Sequence, residues 1–351
     1  MNTESTVRLL LAEQTQGGAF SACPSFSQYP YCWLRDATFV AYALDCYGQH
    51  SAAERYYLWA AQTIARQEGQ IEKLIHLRSR GAPIAEHEFL PTRFSLSGEP
   101  LKDNWPNFQL DGYGQWLWGL GQHLKLSGQS TIPSQFQAGV NSTLAYLAAF
   151  WNEPCYDCWE EFPFRWHTST LVSLYGGIKA IGEFIPSQLD LAEQIKTFIL
   201  EHCVQEGHLV KFVGCPIPDS SLLWSAVPFG LFEVTDPIFL ATLEQIESRL
   251  LRSGLRRYEF DTYYGGGQWI LLSAWLGWVY VRLGRTAEAE QLLEWIETQD
   301  EAGLPEQVSQ ELHAPVYHDY WRKMWGQPAK PLLWSHAMHL IFKQELKKGN
   351  P

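Results

Sequence analysis

Two kinds of helical pattern alternate along this chain, and that alternation limits its fold more than any single motif does. Residues 267–283 (GQWILLSAWLGWVYVRL) and 167–183 (HTSTLVSLYGGIKAIGE) are apolar or small nearly all round, which calls for burial on every side. Residues 187–204 and 285–298 each carry one apolar stripe with a charged back. The stripe is Leu191, Ile195, Phe198 and Ile199 in the first and Ala289, Leu292, Leu293 and Ile296 in the second. Helices of that kind cover a core from outside. The same periodicity predicts helices at 3–14, 36–47, 51–67, 107–126, 132–150, 220–232, 237–252 and 331–346, twelve in all, with no alternating strand pattern. Short turns marked by Gly48 or Pro186 join each inner helix to the next outer one, and longer loops lead back. Six inner helices ringed by six outer ones make an all-α (α/α)6 barrel. Residues 1–351 are expected to form a single catalytic domain with its long loops at one end, where function belongs.

Composition narrows the partners. Apolar residues make up 46% of the 351 and charged residues 18%, which suits a large core. Aromatic residues reach 14%, with 16 Trp and 16 Tyr. Amphipathic rings in that number suit a sugar cleft, where pyranose C–H faces stack on indole and phenol. A net charge of -12 without a Lys/Arg stripe opposes nucleic acid and anionic membrane surfaces. No apolar run reaches the roughly 20 residues that span a bilayer, and the N-terminus lacks the pattern of a secretion signal. A cytoplasmic location is expected. Seven cysteines, an odd number, read as reduced thiols. Cys155 and Cys158 form a CxxC that could hold zinc or act in redox chemistry, but no second Cys/His pair completes a metal site. No metal is expected from this pattern.

The unusual residues fall in the loops. In CYDCWEEFPFRWH, residues 155–167, Glu160 and Glu161 follow Trp159. A carboxyl group beside indole and phenylalanine loses hydration, which raises its pKa toward that of a general acid. Alone, such a pair is also the ordinary solvated charge of a helix start. YPYCWLRD brings Trp33, Arg35 and Asp36, and DNWPNFQLDGYG brings Trp105, Gln109 and Asp111. RRYEFDTYYGGGQW brings Arg257 and Tyr263, and GLPEQVSQ brings Glu306. In a six-fold ring, Glu160 ahead of the third inner helix and Glu306 ahead of the sixth face each other across the axis. Inverting glycoside hydrolysis uses such a pair, one acid and one base on opposite faces of the sugar, about 6.5–9.5 Å apart. Arg35 and Asp36 offer a forked guanidinium and a carboxylate to sugar hydroxyls, although an aspartate there also suits a helix cap. Arg257 either binds sugar or pairs with Glu259 or Asp261. Gly265–Gly267 make a close-approach turn without the Lys-Ser/Thr of a phosphate loop. His336 is expected to pack or hydrogen-bond within its helix.

In order, and over nearly the whole chain from Tyr31 onward, YCWLRD, DCWEE, DTYYGGGQW and PEQV resemble the family 15 glycoside hydrolases, the glucoamylase family. The resemblance implies that Glu160 is the general acid and Glu306 the general base, and that Arg35 and Asp36 bind the non-reducing glucose. It implies further that Trp105 lines the site and that Arg257 contacts the next sugar. Trp33, Gln109, Asp111, Trp159, Glu161 and Tyr263 complete the expected substrate-binding set. An (α/α)6 barrel, release of β-glucose by inversion and the absence of metal or organic cofactor are implied as well. The chain has room for neither the N-terminal β-sandwich of many bacterial relatives nor the starch-binding module of secreted fungal ones. The expected substrate is therefore a short α-1,6- or α-1,4-linked gluco-oligosaccharide of the isomaltose or maltose type. Trehalose hydrolysis, phosphorolysis and a catalytically silent sugar-binding module are the rival readings, and a base at Glu306 counts against phosphorolysis.

Overall fold

The computed structural model of the protein describes residues 2–101 and 103–349. Met1, Lys102, Asn350 and Pro351, which the single-domain expectation includes, lie outside the described residues. In chain order the helices are α1 (Thr3–Ala12), α2 (Leu34–Cys46), α3 (His50–Ala65), α4 (Glu68–Ser79), α5 (Asp111–Leu126), α6 (Ser134–Phe150) and α7 (Thr168–Gly182). There follow α8 (Leu189–His202), α9 (Pro237–Leu250), α10 (Ile270–Arg282), α11 (Thr286–Thr298), α12 (Val316–Trp325) and α13 (Leu333–Gly349). They fall into two compact units. A central unit holds Gln14–Ser21 and Tyr31–His202, and a terminal unit holds Met1–Glu13, Ala22–Pro30 and Cys203–Pro351.

In the central unit α5 packs between α2 and α7, while α3, α6 and α8 cover them. Sequence accounts for the layering. Every residue of α5 from Asp111 to Gly121 is buried, whereas α8 buries only Ala192, Ile195 and Ile199. A Cβ on Gly177 would overlap the carbonyl of Gly114, and one on Gly114 would overlap the carbonyl of Ser173. Helices α5 and α7 therefore meet backbone to backbone, an approach that only glycine permits.

In the terminal unit α10 lies between α13 and a 3-10 turn at Ser220–Ser225. Around it, α11 packs on α10, α9 on that turn, and α1 on α13. Helix α10 is buried without a break from Ile270 to Tyr280, while α11 buries Ala289, Leu292 and Ile296, most of its expected stripe.

The structure also corrects the sequence reading. Residues 220–232 do not form the expected α-helix, because the 3-10 turn ends at Ser225 and Pro228 has no N–H with which to continue a ladder. Helix α4 falls where a loop was expected, since only Ile71 and Leu74 are buried, too narrow a stripe for periodicity to register. Helix α12 was also expected to be loop, and it has no buried residue at all. The helices expected from 107 and 267 begin later, at Asp111 and Ile270. In the second case Gln268–Trp269 pairs antiparallel with Gln307–Val308, just as Cys32–Trp33 pairs with Arg93–Phe94 ahead of α2. These two-residue ladders pin the loop ends beside Glu306 and Trp33. Finally, α2 begins two residues early, so its cap is Trp33 and Asp36 lies in the first turn.

Candidate active site

The central unit gathers five of the expected residues, Trp33, Asp36, Gln109, Asp111 and Glu160, around the Arg35 guanidinium. Held by its ladder with Arg93, Trp33 donates its indole N–H to Glu160 Oε1 at 2.6 Å, and the Gln109 amide approaches the same oxygen at 3.4 Å. Arg35, buried in the first turn of α2, donates to Gln109 Oε1 at 2.9 Å and to Asp111 Oδ2 at 3.1 Å. Its Nε lies 3.4 Å from Asp36 Oδ2, and its second terminal nitrogen lies 3.8 Å from Glu160 Oε1. Burial works against the Arg35 charge, but Asp111, Asp36 and Glu160 outweigh it and raise its pKa. Asp36 is driven the other way. Burial pushes its carboxyl up to about 7, with Arg35 offsetting only part of the effect. Asp36 Oδ2 is buried without a hydrogen-bond partner among the described residues, and a ligand hydroxyl can satisfy such an oxygen.

Glu160 reaches this cluster from a tight turn. The Asp157 carboxylate accepts from the backbone N–H groups of Trp159 at 3.0 Å and Glu161 at 2.8 Å, and Glu160 N–H donates to the Asp157 carbonyl at 2.9 Å. Glu160 itself has φ 67, a left-handed conformation costing about 1–2 kcal/mol for a residue with a Cβ. The turn imposes it. The Glu160 side chain is 15% exposed, so it can reach a ligand, with Trp159 buried and Glu161 half-buried on either side. Trp105 meets Trp33 edge to face, ring centroids 6.1 Å apart. Both rings pack on the Arg93 guanidinium, at 4.3 Å for Trp105 and 5.2 Å for Trp33, and burial lowers the Arg93 pKa. Arg93 escaped sequence reasoning because nothing in its local stretch marks it.

The terminal unit builds a second carboxylate site. Glu306 is buried, and its Oε1 accepts from the Tyr29 hydroxyl at 3.0 Å. That hydroxyl lies 3.0 Å from the hydroxyl of Tyr263, whose pKa is raised by burial and then by Glu306. Arg257 pairs with Asp261 at 2.8 and 2.5 Å, whereas Glu259 pairs with Arg249. The Arg257 guanidinium also lies 5.1 Å from the rings of both Tyr263 and Trp269. Tyr263 touches Trp321 of α12, centroids 5.1 Å apart, and the Trp321 indole donates to Thr262 O at 3.0 Å. Those contacts hold an otherwise unburied helix. The turn at Gly265 and Gly266, φ 81 and 68, needs glycine. Tyr29 and α12 were missed; the aromatic repeat in YWRKMW was the available signal. His336 packs in the interior, as one of the two expected alternatives had it, and its ring accepts from Leu304 N–H rather than bonding within its helix. In the CxxC, burial pushes the Cys155 thiol up to about 12, against the thiolate that zinc requires. Among the described residues no three His, Cys, Asp or Glu side chains are grouped to hold a metal.

Solved structures supply the class to which this arrangement belongs. A wild-type glycosidase matches with TM-score 0.95 and 38% identity over 98% of this chain and 96% of its own, and a variant in complex with glucose matches equally well. The chain is a glycoside hydrolase of the glucosidase type, all-α and of the (α/α)6-barrel class. Glycosyl hydrolases family 15 matches residues 4–342, and the chain belongs to that family. Isomaltose glucohydrolase from Kribbella flavida is 39% identical over 96% of this chain and 90% of its own length. A bacterial glucoamylase complexed with acarbose shares the fold, with TM-score 0.77 and 18% identity over 99% of this chain and 55% of its own. No helix among the described residues is long and apolar enough to cross a membrane.

Proposed function

We propose that this hydrolase removes single glucose units, released as β-glucose, from the non-reducing ends of short α-1,6- or α-1,4-linked gluco-oligosaccharides. Glu160 is the general acid and Glu306 the general base. The observation that carries this reading is Glu160 held by Trp33 and Gln109 at the edge of the Arg35–Asp36–Asp111 cluster. A proton donor there stands beside fixed partners for the hydroxyls of one sugar ring. In inverting hydrolysis one carboxylic acid protonates the glycosidic oxygen while a second carboxylate activates water from the other face. Glu306 suits the second role because the Tyr29 hydroxyl fixes its carboxylate in one orientation. Trp105, Trp159, Glu161, Arg257 and Tyr263 complete the binding set, with Arg257 addressed to the second sugar. Identity of 39% to isomaltose glucohydrolase favours the α-1,6 linkage. Residues 1–351 are read as one catalytic domain because the family match runs through both units. The seven free thiols suit work in the cytoplasm.

Proton NMR of fresh product from isomaltose, maltose, panose and trehalose, with and without phosphate, tests the proposal. β-Glucose should appear first, fastest from isomaltose, and phosphate should change nothing. α-Glucose as first product would end the inverting reading, and glucose phosphate would favour phosphorolysis. Turnover of trehalose alone would favour the trehalase reading, which has support in Trehalase 1 from Sulfolobus acidocaldarius, 30% identical over 36% of this chain. Glu160→Gln and Glu306→Gln should each lower kcat by orders of magnitude without lowering Tm.

A further inference from the structure

Glu306 is preceded by a segment whose backbone is fully accounted for. Leu304 N–H donates to His336 Nε2 at 2.9 Å, and Leu304 O accepts from Leu332 N–H at 3.0 Å. Pro305 O accepts from Ser335 Oγ at 2.8 Å. Glu306 N–H donates to Ala329 O at 2.8 Å, and Glu306 O accepts from Ile270 N–H at 3.3 Å. Buried backbone polar groups need such partners, and here two adjacent side chains from the first turn of α13 supply two of them. Neither side chain belongs to the sugar-binding set.

We infer that Ser335 and His336 are positioning residues for Glu306: through them α13 fixes the peptides on which the base carboxylate stands. The inference rests on the reading of Glu306 as the base. His336 can accept from Leu304 only while Nε2 is unprotonated, which puts the ring proton on Nδ1. The ring is 2% exposed, and burial, with His339 adding to it, pushes its pKa down to about 3. It therefore stays an acceptor over any ordinary working pH. The charged or titratable groups nearby are His339 on the same helix, Glu297 and Lys343 bonded beyond it, and Asp300, which accepts from Gly303 N–H at 3.1 Å. A small shift of the base relative to the attacked carbon costs turnover far more than binding, because the sugar is gripped mainly by groups other than Glu306.

The test compares His336→Phe, His336→Gln and Ser335→Ala in the full-length enzyme, by kcat and KM on isomaltose, the acid limb of the kcat/KM profile, and Tm. His336→Phe should lower kcat about ten- to a hundredfold with KM within about twofold, and shift the acid limb. His336→Gln, whose amide oxygen can accept from Leu304 N–H, should recover most of that loss. Ser335→Ala should lower kcat more mildly, with the same KM signature. In a Glu306→Gln background, His336→Phe should cost no further turnover, because both changes act through one group. Equal losses in His336→Phe and His336→Gln, activity that falls only in step with Tm, or full additivity in the double variant would overturn the positioning role. A Glu306→Gln enzyme with parental turnover would instead remove the base reading itself, and that result is separately visible.

Discussion

Asp36 is held in a state that works against the fold, and in the proposed site that state would serve a ligand. An aspartate in the unfolded chain titrates near 3.9, whereas burial moves Asp36 up to about 7 in the native state. Between those values the native state binds more protons, so the contribution of Asp36 is fully present below about pH 4 and is lost as pH rises through about 7. Asp36→Asn removes the titration while keeping the shape. Its Tm should exceed that of the parent near about pH 8 and match it near about pH 4, while kcat/KM falls. Thermal melts at the two pH values check this, and a pH-independent difference would contradict it. At this scale Arg35, Asp36, Gln109 and Glu160 were legible as candidates because each is a polar residue in an aromatic stretch of sequence. Tyr29 was not, since its importance lies in a bond to Glu306, 277 residues away. Arg93 likewise acquires meaning only from the ladder that sets it beside Trp33.

Among the elements, α5 and α7 meet backbone to backbone, and the sequence showed that α7 is buried without showing what it meets. Gly177→Ala should destabilise the enzyme by about 1–3 kcal/mol or more, because the new methyl group meets the Gly114 carbonyl rather than a movable side chain. A fall in the urea midpoint measures it. Helix α13 carries a different sensitivity. His336, with a folded pKa of about 3 against an ordinary 6.5, contributes stability that is present above about pH 6.5 and is lost as pH falls toward about 3. The urea midpoint should therefore decline through that window, and His336→Gln should flatten the decline. Helices α7 and α10 were readable because burial on all sides leaves a continuous apolar or small-residue signature. Helix α4 rests on two buried residues and α12 on aromatic contacts alone, and hydrophobic periodicity registers neither.

Over the whole molecule, the cluster around Glu160 is built within the central unit and the one around Glu306 within the terminal unit. The all-α class was legible because it needs only the alternation of two helix types, whereas division into these units depends on contacts that no local pattern encodes. The terminal unit takes residues from both ends of the chain, and α1 packs on α13. Helix α1 thus rests on a helix far along the chain. Synthesis runs from the N-terminus and domains generally fold as they emerge, so the central unit has all its residues once His202 is added. Helix α1, whose buried face is Thr6 and Leu10, must wait for α13 to be translated. The nascent chain can therefore assemble the half that bears Glu160 while the buried face of α1 still waits for its cover.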